Sequence, residues 1–156
     1  MSVPAVSVLM SVYNGAPWVR DAVASVLAQT AGDLELIVID DGSTDATPEL
    51  LAAVRDSRVR TERQARVGLT RALNQALTRA RAPLVARLDA DDLALPERLA
   101  RQRAFLVAHP DVGLLGTGAR AIDAAGREVA WIRPPEDDRR SGACSSDAIP
   151  SCIPRS

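Results

Sequence analysis

Three carboxylates fall within four residues, at Asp89, Asp91 and Asp92, after the apolar run Leu84-Val85-Ala86. Like charges at this spacing repel and raise each other's pKa values. A divalent cation removes that cost, because Mg²⁺ and Mn²⁺ prefer oxygen ligands, and Mg²⁺ often combines one or two carboxylates with substrate phosphates. The cluster therefore predicts a metal site that holds a phosphorylated ligand. A solvated acidic turn before a helix is the alternative.

A second acidic turn, Asp40-Asp41, follows the apolar and β-branched residues 34–39. Such a run is typical of a strand buried on both faces of a parallel sheet. In open α/β sheets, ligands bind outside the carboxyl ends of the strands, which is where both acidic turns are expected. Helix capping accounts for the nearby Asp45 and Thr47, but it does not account for the Asp40-Asp41 pair. We expect Asp40 to support the turn.

The first predicted strand covers residues 6–12, and the turn Tyr13-Asn14-Gly15 follows it. Tyr13 is the only tyrosine of the chain. At the end of a strand its ring either packs against the protein or stacks on a base, as aromatic side chains do in nucleotide recognition.

The elements that must position these residues alternate between strand and helix. Apolar spacing predicts helices over residues 19–27, 47–53, 69–80 and 96–108, and strands over residues 6–12, 34–39, 59–61, 84–88 and 112–116, with a strand and turn over 122–126. This alternation predicts an α/β fold with a doubly wound, mainly parallel sheet.

Composition sets further bounds. With 156 residues, 47% of them hydrophobic, the chain suits one globular domain. A net charge of −1 indicates no nucleic-acid partner. The sequence contains no lysine, which disfavours a response-regulator receiver. No apolar run of membrane-spanning length and no secretory signal is visible, so we expect no transmembrane segment and a cytoplasmic location.

Four blocks, residues 6–14, 25–30, 35–45 and 86–92, resemble the family 2 glycosyltransferases in order and spacing. The resemblance covers residues 3–137 and implies a GT-A fold, a nucleotide-diphosphosugar-binding α/β domain. It implies metal-dependent transfer of a sugar from a nucleotide-diphosphosugar to an acceptor hydroxyl, in the synthesis of cell-envelope polysaccharide. A phosphatase of the haloacid dehalogenase type also uses Asp-x-Asp, but it needs an acid where this chain has Ser11-Val12-Tyr13.

The resemblance also implies roles for particular residues. Asp41 would recognise the base, and Ser11 and Tyr13 would line the same pocket. The residues implied at the nucleotide-sugar are Ser11, Tyr13, Asp41, Gly68, Arg71 and Asp89. The metal, Mn²⁺ or Mg²⁺, would be held by Asp89, Asp91 and Asp92. The implied sugar donor is a UDP-sugar, the acceptor is a saccharide or is lipid-linked, and the enzyme would act peripherally at the inner membrane face.

The end of the chain has a different character. We expect the nucleotide-sugar-binding domain to cover residues 1–138, and residues 139–156 to form an irregular tail. One hypothesis is that this tail is read out of frame, which would leave a truncated, nucleotide-binding half of the GT-A domain. No catalytic base is then assigned, because relatives supply it from further downstream. A non-catalytic nucleotide-binding fragment is therefore the alternative function.

Overall fold

The computed structural model describes residues 3–123, 125–133 and 152–154. Its main sheet has the order β3-β2-β1-β4-β7, with β1 to β4 parallel. These four strands are β1 (Val6–Val12), β2 (Leu34–Asp40), β3 (Val59–Arg63) and β4 (Leu84–Arg87). Because β1 pairs with β2 on one side and with β4 on the other, the strands that precede both acidic turns flank the first strand.

Helices cover both faces of this sheet. They are α1 (Val19–Leu27), α2 (Thr47–Ala52), α3 (Leu69–Arg79) and α4 (Arg98–Ala108). Residues of α1, α2 and α4 share one core with Val8, Met10 and Val38, whereas α3 packs on the opposite face against Leu9 and Ile37. The predicted doubly wound, mainly parallel α/β fold is confirmed.

Strand β2, which lies between β3 and β1, is buried along its whole length. Side chains alternate between the faces of a strand, so Leu36 and Val38 join the core under α1 while Ile37 and Ile39 join the core under α3. The continuous apolar run in the sequence reflects this burial on both sides.

Glu35 is the one charged residue inside that run, and its side chain is only 2% exposed. Its carboxylate accepts hydrogen bonds from the Ser7 hydroxyl at 2.7 Å and from the Arg81 backbone at 2.8 Å, and it pairs with the Arg81 guanidinium at 2.8 Å. The Ser7 hydroxyl accepts the backbone N–H of Ala82 at 3.0 Å. Glu35 therefore ties β1, β2 and the segment that enters β4 together.

The sequence-based prediction of a strand over residues 112–116 is wrong, since residues 112–118 have no regular structure. Glycine weakens a strand because it has no side chain to pack, and Gly113, Gly116 and Gly118 all fall in this stretch. The predicted strand and turn after it form a hairpin of β5 (Ala119–Ile122) and β6 (Glu128–Ile132). The second strand of this hairpin was not predicted.

A third difference concerns the predicted irregular tail. Cys152–Pro154 forms β7, which pairs antiparallel with the open edge of β4, with Ile153 opposite Val85. An edge strand offers unpaired backbone groups, and a residue that precedes proline favours an extended conformation. The rest of the predicted tail, and its boundary at residue 138, lie outside the described residues, so that boundary and the reading-frame hypothesis stay predictions.

Within the described ranges, no helix is both long and apolar enough to span a bilayer.

Replacing Glu35 by alanine should lower the free energy of unfolding by about 3 kcal/mol, because the buried partners of the carboxylate lose their acceptor. Chemical denaturation measures this change. The matched control is Glu62→Ala, which removes a more exposed pair with Arg79 and should cost at most about 1 kcal/mol. Equal costs for the two variants would contradict the role given to Glu35.

The same carboxyl predicts a pH dependence. Burial raises the pKa of Glu35, but hydrogen bonds from Ser7 and Arg81 outweigh it and hold that pKa below its ordinary value. The stabilisation is therefore complete above the unfolded-chain pKa of roughly 4.3 and is lost as the pH falls through the folded pKa. The difference in stability between the wild type and Glu35→Ala should shrink below pH 4, as measured by denaturation at several pH values.

Candidate functional site

The parallel strands end at one edge of the sheet, and the candidate residues follow β1, β2 and β4 there. Because side chains alternate between the two faces of a strand, the position of each candidate residue along its strand decides on which face of the sheet it lies. Ser11 is two residues after Leu9, which packs under α3, so Ser11 lies on the α3 side and is half-buried. Asp41 follows β2, and its backbone N–H donates to the carbonyl of Val12 at 2.8 Å. The ends of β1 and β2 are thus joined beside Ser11.

Asp41 is almost fully buried and organises the loop between β3 and α3. Its Oδ1 accepts hydrogen bonds from the Gln64 amide at 2.7 Å and from the Val67 backbone at 2.9 Å, and its Oδ2 accepts the Gly68 backbone N–H at 2.8 Å. Burial raises the pKa of the Asp41 carboxyl, but these hydrogen bonds and the nearby Arg66 charge outweigh it and lower that pKa. The carboxylate is therefore ionised at neutral pH and acts only as an acceptor.

Two glycines allow this loop to approach Asp41. Gly68 begins α3 with φ +92°, a conformation that favours glycine, and its N–H donates to Asp41. Gly42 has φ +81°, and a side chain there would place its first carbon 2.9 Å from the backbone nitrogen of Arg66. The predicted Gly68 is therefore brought to Asp41 by the fold.

Tyr13 is partly exposed at the end of β1, and the guanidinium of Arg66 lies 3.8 Å from the centre of its ring. This distance is that of a cation–π contact. The β3–α3 loop thus reaches both Asp41 and the aromatic ring, although Tyr13 and Arg66 are far apart in the sequence. Tyr13 keeps 39% of its surface exposed, so part of the ring remains available to a ligand.

The turns after β1 and β2 hold each other through side chains. The Asn14 backbone donates to the Ser43 hydroxyl at 3.0 Å, and the Asn14 side-chain oxygen accepts the Thr44 backbone N–H at 2.8 Å. The Ser43 backbone donates to Asp40 Oδ1 at 2.9 Å, and Arg63 lies 3.4 Å from Asp40 Oδ2. Asp40 therefore supports the turn, as expected.

In the acidic cluster after β4, Asp89 is paired with a residue that the sequence analysis did not single out. Arg87 donates from Nε to Asp89 Oδ1 at 2.9 Å and from a terminal nitrogen to Oδ2 at 2.8 Å. Asp91 and Asp92 are exposed. Partial desolvation first, and then repulsion from Asp89 and Asp91, raises the pKa of Asp92.

These positions test how well the residues fit a divalent cation. Among the described residues, no three acidic, histidine or cysteine side chains are arranged to hold a metal ion together. The three carboxylates expected from the sequence are thus not arranged as one ligand set, and Arg87 engages Asp89. Asp91 and Asp92 still fit, since Mg²⁺ needs only one or two carboxylates when phosphates and water complete its shell.

Arg71 lies exposed in the first turn of α3, three residues after Gly68. Sequence reasoning missed Gln64, Arg66 and Arg87. Arg87 and Asp89 are two apart at a strand end and so lie on one face, a signal that could have predicted their pairing. Gln64 and Arg66 lie in a loop, where no periodicity indicates which way a side chain points.

The parallel sheet, its helices on both faces and its edge of acidic turns define an α/β domain of the GT-A type. Residues 7–141 match the sequence model of glycosyl transferase family 2, and the chain belongs to that family.

Relatives and solved structures agree with this assignment. EpsE of Bacillus subtilis (strain 168) is 36% identical over 135 residues, which cover 84% of this chain and 49% of EpsE. The O-antigen biosynthesis glycosyltransferase WbnJ of Escherichia coli is 31% identical over 86% of this chain and 54% of WbnJ. The mannosyltransferase PcManGT of Pyrobaculum calidifontis, solved with GDP-Man and Mn²⁺, superposes with a TM-score of 0.67 at 31% identity over 78% of this chain and 37% of its own.

The chain therefore spans about half the length of the curated relatives that it matches. Glycosyl transfer is the general activity named for these homologues.

Replacing Asp41 by alanine should lower the free energy of unfolding by about 2–3 kcal/mol, because the N–H groups of Val67 and Gly68 lose their acceptor. The control is Asp33→Ala, an exposed position where a change within about 0.5 kcal/mol is expected. Chemical denaturation measures both, and hydrogen exchange at Val67 and Gly68 should accelerate only in the Asp41 variant. Unchanged exchange there would contradict the proposed tethering of the loop.

Proposed function

We propose that this chain binds the nucleotide-diphosphosugar of a glycosyltransferase that transfers the sugar to an acceptor hydroxyl. The observation that carries the proposal is Asp41, a buried and ionised acceptor beside Tyr13 at the carboxyl edge of a parallel sheet. Ligands of open α/β sheets bind at this edge. The family assignment supports the transfer reaction, and the named ligands of PcManGT support the class of sugar donor.

The hydrogen bonds of Asp41 suggest which base it reads. A carboxylate oxygen can accept two hydrogen bonds, so Oδ1 is saturated by Gln64 and Val67, while Oδ2 has one acceptor position left beside Gly68. One free acceptor suits one N–H, the number that uracil presents on its pairing edge. Cytosine has an unprotonated ring nitrogen at this position and would be disfavoured. Tyr13 would stack on the base, and Ser11 lies on the same side of the sheet. We therefore propose a UDP-sugar.

The diphosphate would lie towards the acidic cluster. Asp91 and Asp92 would hold Mg²⁺ or Mn²⁺, and the bound cation would neutralise the charge that develops on the diphosphate leaving group. The pairing with Arg87 fixes the orientation of the Asp89 carboxylate. Gly68 caps the N-terminus of α3 and Arg71 lies in its first turn, so the nucleotide would lie beside both, and Arg71 would pair with a phosphate.

The acceptor is proposed from the relatives alone. WbnJ is named for O-antigen biosynthesis and ExoO of Rhizobium meliloti (strain 1021) for succinoglycan biosynthesis. A saccharide or lipid-linked acceptor at the inner membrane face is consistent with both names. No residue of this chain is assigned as the catalytic base.

The chain should bind UDP more tightly in the presence of Mn²⁺, and Asp91→Ala should remove most of this metal dependence because it deletes an exposed carboxylate ligand. Calorimetric titration of UDP with and without Mn²⁺ measures the effect. Asp33→Ala is the control and should behave as the wild type, because Asp33 lies just before the amino end of β2, at the opposite end of the parallel strands. Equal UDP affinity with and without the metal would refute the metal assignment.

Tyr13→Ala should weaken UDP binding by about 1–3 kcal/mol through the loss of stacking, whereas Tyr13→Phe should retain most of the affinity. The wild type should also bind UDP more tightly than CDP. Titration of both nucleotides into each variant tests these expectations. A Tyr13→Ala variant with full affinity, or a wild type that prefers CDP, would contradict the proposed base pocket.

A further inference from the structure

Arg87 is the last residue of β4, and its side chain is largely buried, at 15% exposure. Its backbone carbonyl accepts a hydrogen bond from the Arg98 guanidinium at 2.9 Å. The arginine is therefore fixed at both its main chain and its side chain, at the start of the acidic cluster. Neither the fold nor the base pocket accounts for a buried arginine at this point.

The guanidinium of Arg87 forms a bidentate pair with the carboxylate of Asp89. The Nε–Oδ1 distance is 2.9 Å and the terminal nitrogen lies 2.8 Å from Oδ2, so both carboxylate oxygens are engaged. Bidentate pairs of this kind are strong and directional. The guanidinium remains charged at every relevant pH. It would therefore repel a cation that approached Asp89.

Among the residues that the structure describes, no arginine engages both carboxylate oxygens of Asp91 or of Asp92. Both side chains are exposed. Asp89 and Asp91 repel the charge of Asp92, and the charges of Arg98 and Arg87 partly offset this repulsion. The cluster is thus divided into one carboxylate neutralised by the protein itself and two that face solvent.

We propose that Arg87 is a positioning residue that keeps Asp89 paired and away from the divalent cation, and thereby sets the metal affinity of the site. This inference rests on the proposed function, since it concerns the same metal. Arg87 acts as an internal counter-charge that stabilises the metal-free protein and opposes cation binding.

The proposal predicts two effects of opposite sign for Arg87→Gln. Without metal, the melting temperature should fall, because the carboxylates lose their counter-charge. With saturating UDP, Mn²⁺ should bind about tenfold more tightly, because a positive charge next to the cation has been removed. Mn²⁺ binding is measured by the loss of its free electron paramagnetic resonance signal, and melting is followed with and without Mn²⁺. A residue with only a structural role would lower both stability and metal affinity.

Two further variants sharpen the test. Arg87→Lys keeps the charge but cannot engage both oxygens, so its Mn²⁺ affinity should lie between those of the wild type and Arg87→Gln. It also decides the matter if Arg87→Gln does not fold. Arg79→Gln is the matched control, because it removes an arginine that donates to Glu62 at 2.9 Å near the far end of α3. It should leave Mn²⁺ affinity unchanged.

The outcomes separate this inference from the proposed function. If the wild type binds Mn²⁺ with UDP and the Arg87 variants bind it equally or less tightly, the role of Arg87 is overturned and the metal site stands. If neither the wild type nor any Arg87 variant binds Mn²⁺, both are overturned. Binding that appears or strengthens only when Arg87 is replaced supports the inference.

Discussion

The hydrogen bonding of β1 to a parallel neighbour on each side is the constraint on which the rest of the structure depends. It pairs Val6 with Leu34 on one side and with Leu84 on the other. Strands in a sheet lie about 4.8 Å apart, so the turns after β1, β2 and β4 are brought together at one edge. The buried Asp41 and the acidic cluster can therefore lie at the same edge although about fifty residues separate Asp41 from Asp89.

The carboxylates at this edge differ because each is neutralised differently. Backbone N–H groups donate to Asp41, a turn N–H donates to Oδ1 of Asp40 while Arg63 forms an ion pair with its Oδ2, and Arg87 donates to Asp89. Asp91 and Asp92 are exposed, and they are the carboxylates proposed to hold a cation. One carboxylate thus tethers a loop, one supports a turn, one pairs with an arginine and two are exposed, all within one short edge of the sheet.

Where the sequence-based prediction of the fold succeeded, a periodic pattern was present. The mostly apolar runs of β1 and β2 reflect burial on both faces, and the helical spacing of α1 reflects the one face that it buries. The prediction failed over residues 112–116, where apolar residues are interrupted by glycine, and at β6, whose residues are exposed. An exposed strand carries no burial pattern, and its pairing with β5 depends on a turn at Gly126.

The sequence by itself determined the order of strands and helices from β1 to α4, the family resemblance and the presence of carboxylates at two strand ends, because these follow from local spacing. Only the tertiary structure decided which partner each carboxylate takes. Asp41 accepts hydrogen bonds from Val67 and Gly68, and Arg66 stacks over the ring of Tyr13. These contacts form because the strand order brings distant loops together. Loop residues carry no periodicity, so their contacts are set by the sheet that positions the ends of each loop.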